Sequence, residues 1–247
     1  MTDASGGYNG VRHTPPPCMP GPAWQKGVIR MSEFIPEDLF VGEPVLTMRW
    51  RLHNRALPLK NRHLRAFTQA GVSNGLASWA RQHIEWTLAE GSGDHPDGVL
   101  SLAVDDQGRA VMATEAYEPL PPLTVRGLCD RVRAAGERPV EGEVVWIARE
   151  GGFDALTPAE KPLSGANSLV ADLAKTLGRA VSFAPRGLGD DLALSDGDEV
   201  LLVSDEHGVV GAADASGPLA AQFQAYYERL VMMVKPDDFD RANLGMF

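Results

Sequence analysis

Cysteine and lysine are scarce in this sequence, and long apolar runs are missing. Cys18 and Cys129 are its two cysteines and form no Cys-x-x-Cys pair, so the sequence predicts no disulfide framework. No apolar run has the length of a membrane-spanning helix, and the N-terminus lacks the basic-then-apolar order of a signal peptide. We therefore expect a cytoplasmic protein without a membrane partner.

The charge balance is acidic, with a formal net charge of −10 at pH 7 over 247 residues. Because nucleic-acid phosphates attract basic surfaces, this balance predicts no sequence-independent binding of DNA or RNA. Arginines do gather between residues 49 and 65, where they form either a local anion site or a solvated basic face. The aspartates between 190 and 198 are scattered among turns, and we expect no metal site.

Residues 34–118 have the pattern of a small α+β domain, preceded by a flexible Gly- and Pro-rich extension at 1–33. The stretch VLTMRWRL at 45–52 alternates apolar and polar residues, as a half-buried strand does. The other predicted elements are helices at 61–67 and 73–88 and a hairpin of strands 98–104 and 110–116.

A Pro-rich joint, PLPPL at 119–123, marks the end of this domain and opens a connection over 119–140. A larger α/β domain is predicted over 141–235, followed by a weakly ordered tail at 236–247. Its predicted elements are strands at 143–148, 180–185 and 199–204 and helices that begin at Ser168 and Pro218.

The stretch PLSGANS at 162–168 has the composition of a helix start that can bind an anion. At such a start, unpaired backbone N–H groups and the positive end of the helix dipole face the same point. Two interpretations stay open for Gly165, Ala166, Asn167 and Ser168. They form either a helix cap without a ligand or a set of donors that binds an anionic part of a substrate.

Three motifs resemble those of one protein family in their order and spacing: LKNRHLRAF at 59–67, TPAEKPLSGANS at 157–168, and the stretch 192–230. The family comprises the class IV aminotransferases and aminodeoxychorismate lyases, which are the fold-type IV enzymes of pyridoxal phosphate (PLP). The resemblance implies a two-domain α+β fold, an active site between the domains and beside a subunit interface, and a homodimer.

The sequence departs from this family at the positions that hold the cofactor. The interval 119–157 contains no lysine, although the family carries its Schiff-base lysine there, and we predict that the lysine-bearing helix is deleted. The arginine that holds the PLP phosphate in the family aligns with Ala66, one position after Arg65. We therefore expect no bound cofactor, and Lys161 is the lysine that would hold PLP if it were present.

Five further side chains are candidates for the site: His207 and Arg49 as catalytic groups, and Arg51, Arg65 and Ser204 as substrate-binding groups. Histidine suits proton transfer near neutral pH, and the alternative for His207 is an exposed turn histidine. Arg49 either clamps an anionic substrate or lies on the outer face of an edge strand. A hydrolase triad at Ser204 is disfavoured, since no Gly-x-Ser-x-Gly context surrounds it.

These observations predict an aminotransferase class IV-like protein that works without PLP, as an isomerase, cyclase or lyase acting on a small anionic molecule. The 18 arginines against five lysines suit a high-GC bacterium, in which divergent copies often serve secondary metabolism. Two alternatives stay open. One is a PLP-dependent aminotransferase or 4-amino-4-deoxychorismate lyase, and the other is a non-catalytic binding or assembly partner.

Overall fold

A computed structural model describes residues 44–91, 93–135, 142–184 and 192–234. The extension predicted at 1–33 and the tail predicted at 236–247 lie outside these residues. The described chain forms two β-sheets with helices packed against them, which confirms the α+β class. Within these ranges, no helix combines the length and the apolar character that a bilayer crossing requires.

The first sheet contains β1 (Pro44–Arg51), β2 (Val99–Asp105) and β3 (Ala110–Glu115). The strands are antiparallel and lie in the order β1-β2-β3. Leu46, Met48 and Trp50 of β1 are buried, whereas the polar side chains that alternate with them are partly exposed. The alternation in the sequence therefore predicted both this strand and the face that it buries.

Helices α1 (Lys60–Gln69) and α2 (Asn74–Trp86) pack in one core with the apolar side of this sheet, and a π-helical turn, Thr87–Gly91, follows α2. They confirm the two helices predicted in this part of the chain. The hydroxyl of Ser73 caps α2, because it accepts a hydrogen bond from the Leu76 amide at 3.2 Å.

The strands of the second sheet are β4 (Glu143–Arg149), β5 (Gly152–Ala155), β6 (Ala180–Phe183), β7 (Glu199–Ser204) and β8 (Gly208–Gly211). Their order is β6-β5-β4-β7-β8; β5 and β6 are parallel, and all other neighbours are antiparallel. Every residue of β7 is buried, as is expected of a central strand with both faces covered.

Helices cover both faces of the second sheet. α4 (Gly165–Thr176) and α5 (Pro218–Met232) pack on one face, and α3 (Val125–Ala134) packs on the other. Three elements of this part of the chain were not predicted from the sequence. β5 and β8 have four residues each and are too short to show an alternating pattern. The resemblance led us to interpret the interval that holds α3 as a shortened connection.

α4 begins at Gly165, one turn before the predicted start at Ser168. Ser164 is the N-cap, and its hydroxyl accepts a hydrogen bond from the Asn167 amide at 3.4 Å. Asn167 is fully buried, and its side-chain oxygen accepts from the indole of Trp146 at 2.8 Å. Asn167 and Ser168 lie within the first turn of the helix, and the cap is the residue before Gly165.

Candidate functional site

A pocket of about 890 Å³ is lined by β1, α3, the segment that follows β3, and the turn that joins β7 to β8. Its charged and polar lining includes Arg49, Glu115, Glu118, Arg131, Glu143, Ser204, Asp205, Glu206 and His207. Titratable side chains from distant parts of the chain converge in this concave site, which makes it the candidate functional site.

Three of the predicted site residues line this pocket: Arg49, Ser204 and His207. Arg51 and Arg65 do not line it, and their predicted binding of a substrate stays a prediction. The guanidinium of Arg51 lies over the ring of Tyr117, 3.1 Å from the ring centre, in a cation–π contact. Arg65 is exposed on α1.

The start of α4 binds an anion that belongs to the chain itself. One carboxylate oxygen of Asp205 accepts hydrogen bonds from the Ala166 amide at 2.7 Å and from the Ser164 hydroxyl at 2.8 Å. The other oxygen lies 3.1 Å from Nδ1 of His63. Because the helix dipole favours a negative charge at this point, Asp205 takes the position that the sequence analysis assigned to an anionic ligand.

Residues 165–168 lie away from the lining of the pocket, and their binding of a substrate stays a prediction. Gly165, Ala166 and Asn167 are buried, and none of these four residues lines the pocket. Gly165 does permit a close approach, but its neighbour is the imidazole of His63, which would overlap a Cβ at position 165. Gly165 therefore permits the imidazole of His63 to pack against the start of α4.

Asp205 also joins the two sheets through its backbone. Its carbonyl oxygen accepts from the Arg51 amide of β1 at 3.1 Å, and its own amide donates to the Gly142 carbonyl oxygen at 3.2 Å. Asp205 is not among the site residues predicted from the sequence. Its signal in the sequence is an acidic residue directly after the buried strand EVLLVS.

Arg49 is bound by carboxylates from two parts of the chain. Its Nε and Nη2 atoms donate to the two carboxylate oxygens of Glu206 at 2.6 Å and 3.0 Å, and Nη1 donates to Glu115 at 2.9 Å. The hydrogen bond with Glu206 is the main cause of a raised pKa of Arg49. Burial favours a higher pKa of Glu206, but the hydrogen bond and charge of Arg49 lower it overall. The guanidinium that the sequence suggested for an anionic substrate therefore already binds two carboxylates of the chain.

His207 is not the exposed turn histidine that the sequence left as an alternative, since its side chain is only 4% exposed. Its Nε2 atom lies 2.9 Å from Nη2 of Arg131, and its Nδ1 atom lies 3.5 Å from the hydroxyl of Tyr117. Burial is the main cause of a lowered pKa of His207, because it disfavours the charged imidazolium.

Arg131 and Glu143 are pocket residues that the sequence analysis missed. Arg131 lies on α3, and its Nη2 and Nε atoms donate to Oε1 of Glu143 at 2.6 Å and 3.1 Å. The predicted residue Ser204 is close by, and its hydroxyl accepts from the backbone amides of Glu206 and His207 at 3.2 Å each. Ser204 therefore organises the turn that carries the acidic group and the imidazole.

The described residues do not fit PLP held as the resemblance implies. None of the described lysines lines the pocket, and Lys60 pairs with Glu85 at 2.9 Å. Ala66, at the position of the phosphate-binding arginine, is buried. The donors at the start of α4 already bind a carboxylate. Among the described residues, no group of three or more potential ligands could hold a metal ion.

Comparisons of sequence find no relative: no protein-family model matches the chain, and no curated protein matches it. Solved structures do match. The chain is similar to 4-amino-4-deoxychorismate lyase from Pseudomonas aeruginosa, with a TM-score of 0.50 and 14% identity. This match covers 74% of this chain and 90% of that chain.

A hypothetical aminotransferase from Mycobacterium tuberculosis matches in two forms. Its apo form has a TM-score of 0.52 at 15% identity, with 77% of this chain and 89% of that chain covered. Its form with bound alpha-ketoglutarate and PMP has a TM-score of 0.52 at 16% identity, with 75% and 88% covered. The fold is fold-type IV. The resemblance inferred from three motifs is thereby confirmed for the fold, and at these identities the likeness extends no further.

Proposed function

We propose that this fold-type IV chain does not hold PLP and uses its pocket for cofactor-independent chemistry on a small organic molecule. The reaction class is an isomerisation, cyclisation or lyase reaction, in which a shaped pocket and an acid–base group supply the catalysis. The single observation that carries the proposal is that the carboxylate of Asp205 accepts hydrogen bonds from the Ala166 amide and the Ser164 hydroxyl.

The negative charge of Asp205 disfavours a phosphate group at the start of α4, and this supports the proposal that PLP is not held there. A phosphate dianion would have to displace the carboxylate from its donors, or share a small space with another negative charge. Asp205 is only 6% exposed and lies beside His63, so its displacement would leave a buried charge without its partners. Both consequences disfavour the binding of a phosphate group.

His207 is the proposed group for proton transfer. It lines the pocket, and its lowered pKa leaves the imidazole neutral near pH 7, with a lone pair that can take a proton. The anionic character of the substrate stays a prediction, since Arg49 already binds Glu206 and Glu115. A homodimer, a bacterial cytoplasmic location and a role in secondary metabolism stay predictions.

The test uses the full chain, produced in cells supplied with pyridoxine. Its absorption spectrum is measured first, and its intact mass is measured after treatment of the protein with borohydride. We expect absorption from aromatic residues alone and an unmodified mass. The aminotransferase from Mycobacterium tuberculosis, produced identically, is the positive control for cofactor absorption, since one of its structures contains PMP. A reduced cofactor adduct on Lys161, or on any other lysine, would overturn the proposal in favour of a PLP enzyme.

A second candidate is a non-catalytic binding or assembly protein, and the pairing of the pocket arginines favours it. Arg49 and Arg131 both donate to carboxylates of the chain, as structural ion pairs do. Incubation with a bacterial metabolite extract in deuterated water separates the two candidates. Turnover or deuterium incorporation that is lost in His207→Gln supports the enzyme, whereas bound metabolites that never change support the binding protein.

A further inference from the structure

The two ring nitrogens of His207 face partners of different chemistry. Nε2 lies 2.9 Å from a guanidinium nitrogen of Arg131, and Nδ1 lies 3.5 Å from the hydroxyl of Tyr117. A guanidinium donates hydrogen bonds and has no lone pair with which to accept one. Nε2 must therefore accept from Arg131, which leaves the ring proton on Nδ1 and excludes the doubly protonated ring.

Glu143 orients Arg131 for this contact. Its Oε1 atom accepts from Nε and from Nη2 of Arg131, and the second hydrogen of Nη2 is then left for His207. The carboxylate of Glu143 is 11% exposed, so the ion pair is shielded from solvent on that side. The direction of the guanidinium is thus set by an acid on β4 and not by the imidazole alone.

Charges of both signs surround His207, and they oppose one another. The carboxylates of Glu206 and Glu143 approach Nε2 to 3.9 Å and 4.0 Å and favour the imidazolium. Arg131 and Arg49 disfavour it, and burial disfavours it most. Tyr117 faces the ring from the other side as a tilted aromatic neighbour, with 5.7 Å between ring centres. The guanidinium contact therefore decides which nitrogen carries the proton.

We propose that Arg131 is a positioning residue that holds His207 as a neutral imidazole with its proton on Nδ1. The role of this contact in catalysis rests on the proposed function, whereas the position of the proton does not. Arg131 covers the lone pair of Nε2, which is the atom that would take a proton. A substrate oxygen that accepts from Arg131 in place of His207 would uncover this lone pair, so the base would become available when the substrate binds.

The test is long-range proton–nitrogen NMR correlation on the full chain labelled with nitrogen-15, with the His207 signals identified by their loss in His207→Gln. At pH 7 we expect the neutral ring with the proton on Nδ1. In Arg131→Met we expect the titration midpoint of His207 to rise by about one pH unit and the tautomer preference to weaken. Arg131→Lys keeps a positive donor and should retain part of the effect.

Arg133→Gln is the matched control, because Arg133 lies on the same helix and pairs with Asp130 at the surface. It should leave the His207 signals unchanged. A wild-type ring that is protonated on Nε2 at pH 7, or an Arg131→Met titration identical to wild type, would overturn the inference. If Arg131→Met does not fold, the wild-type tautomer and Arg131→Lys still decide. Bound PLP together with the expected tautomer would overturn only the proposed function.

Discussion

The carboxylate of Asp205 accepts a hydrogen bond from the amide of Ala166, 39 positions away in the sequence, at 2.7 Å. This contact places a negative side chain at the positive end of α4, where the sequence alone predicts an anion-binding site. The same residue contacts His63 of α1 and the backbone of β1. Asp205 is therefore both the anion of the helix start and a connection between the two sheets.

Asp205→Asn should destabilise the protein by about 2 kcal/mol, because hydrogen bonds to the buried charge are lost or weakened. Urea unfolding followed by circular dichroism measures this change. The control is Asp172→Asn, since Asp172 pairs with Arg62 but its side chain is 57% exposed. Asp172→Asn should lower the free energy of unfolding by less than about 1 kcal/mol. Equal losses in the two variants would contradict the role of Asp205.

Asp205→Gly should be rescued by formate. The variant lacks the carboxylate and leaves space for one at the start of α4, where the helix dipole and the Ser164 hydroxyl still favour an anion. Thermal unfolding in formate should show a higher midpoint than in chloride of equal ionic strength, by about 2–4 °C for each kcal/mol recovered. Asp172→Gly is the control and should respond equally to both salts.

A double-mutant cycle should find strong coupling between Arg49 and Glu206. Their two parallel hydrogen bonds at 2.6 Å and 3.0 Å, with the side chain of Glu206 only 11% exposed, predict a coupling energy of about 1–3 kcal/mol. The matched cycle of Arg49 with Glu115, whose side chain is 43% exposed, should give a smaller value. Urea unfolding of Arg49→Met, Glu206→Gln, Glu115→Gln and the double variants supplies both numbers. A coupling energy of Arg49 with Glu115 that exceeds its coupling energy with Glu206 would contradict the stronger pairing assigned to Glu206.

His207 should make the protein less stable as the pH falls below neutrality. Its pKa in the folded state is lowered by burial, so below the ordinary histidine pKa of about 6.5 the unfolded chain binds more protons than the folded one. Stability therefore rises with pH through the window below about 6.5, with a slope of at most about 1.4 kcal/mol per pH unit from this residue. Unfolding in urea between pH 5 and pH 7.5 measures the slope.

His207→Gln should flatten that slope, because glutamine does not titrate. His95→Gln is the control, since His95 lies in the turn before β2 and does not line the pocket. If the slope of His207→Gln matches that of wild type, the buried and neutral state assigned to His207 is wrong.

Local patterns in the sequence predicted much of the fold. The alternation over 45–52 predicted β1, and apolar spacing predicted α1 and α2, because strands and amphipathic helices bury one face at a fixed period. The four-residue strands β5 and β8 do not span enough positions to show such a period. Three of the predicted site residues line the pocket because each lies on β1, at the end of β7 or in the turn directly after β7, and the sequence located both strands well.

By itself, the sequence determined the class of the fold, the elements with a clear period, and the existence of a helix start that favours a negative charge. Only the tertiary structure decided which anion occupies that start and which groups surround His207. Arg49 and Glu206 are 157 positions apart, and Arg131 and His207 are 76 apart. Pairing at such separations depends on how strands and helices pack, because local propensity does not encode which distant side chains meet.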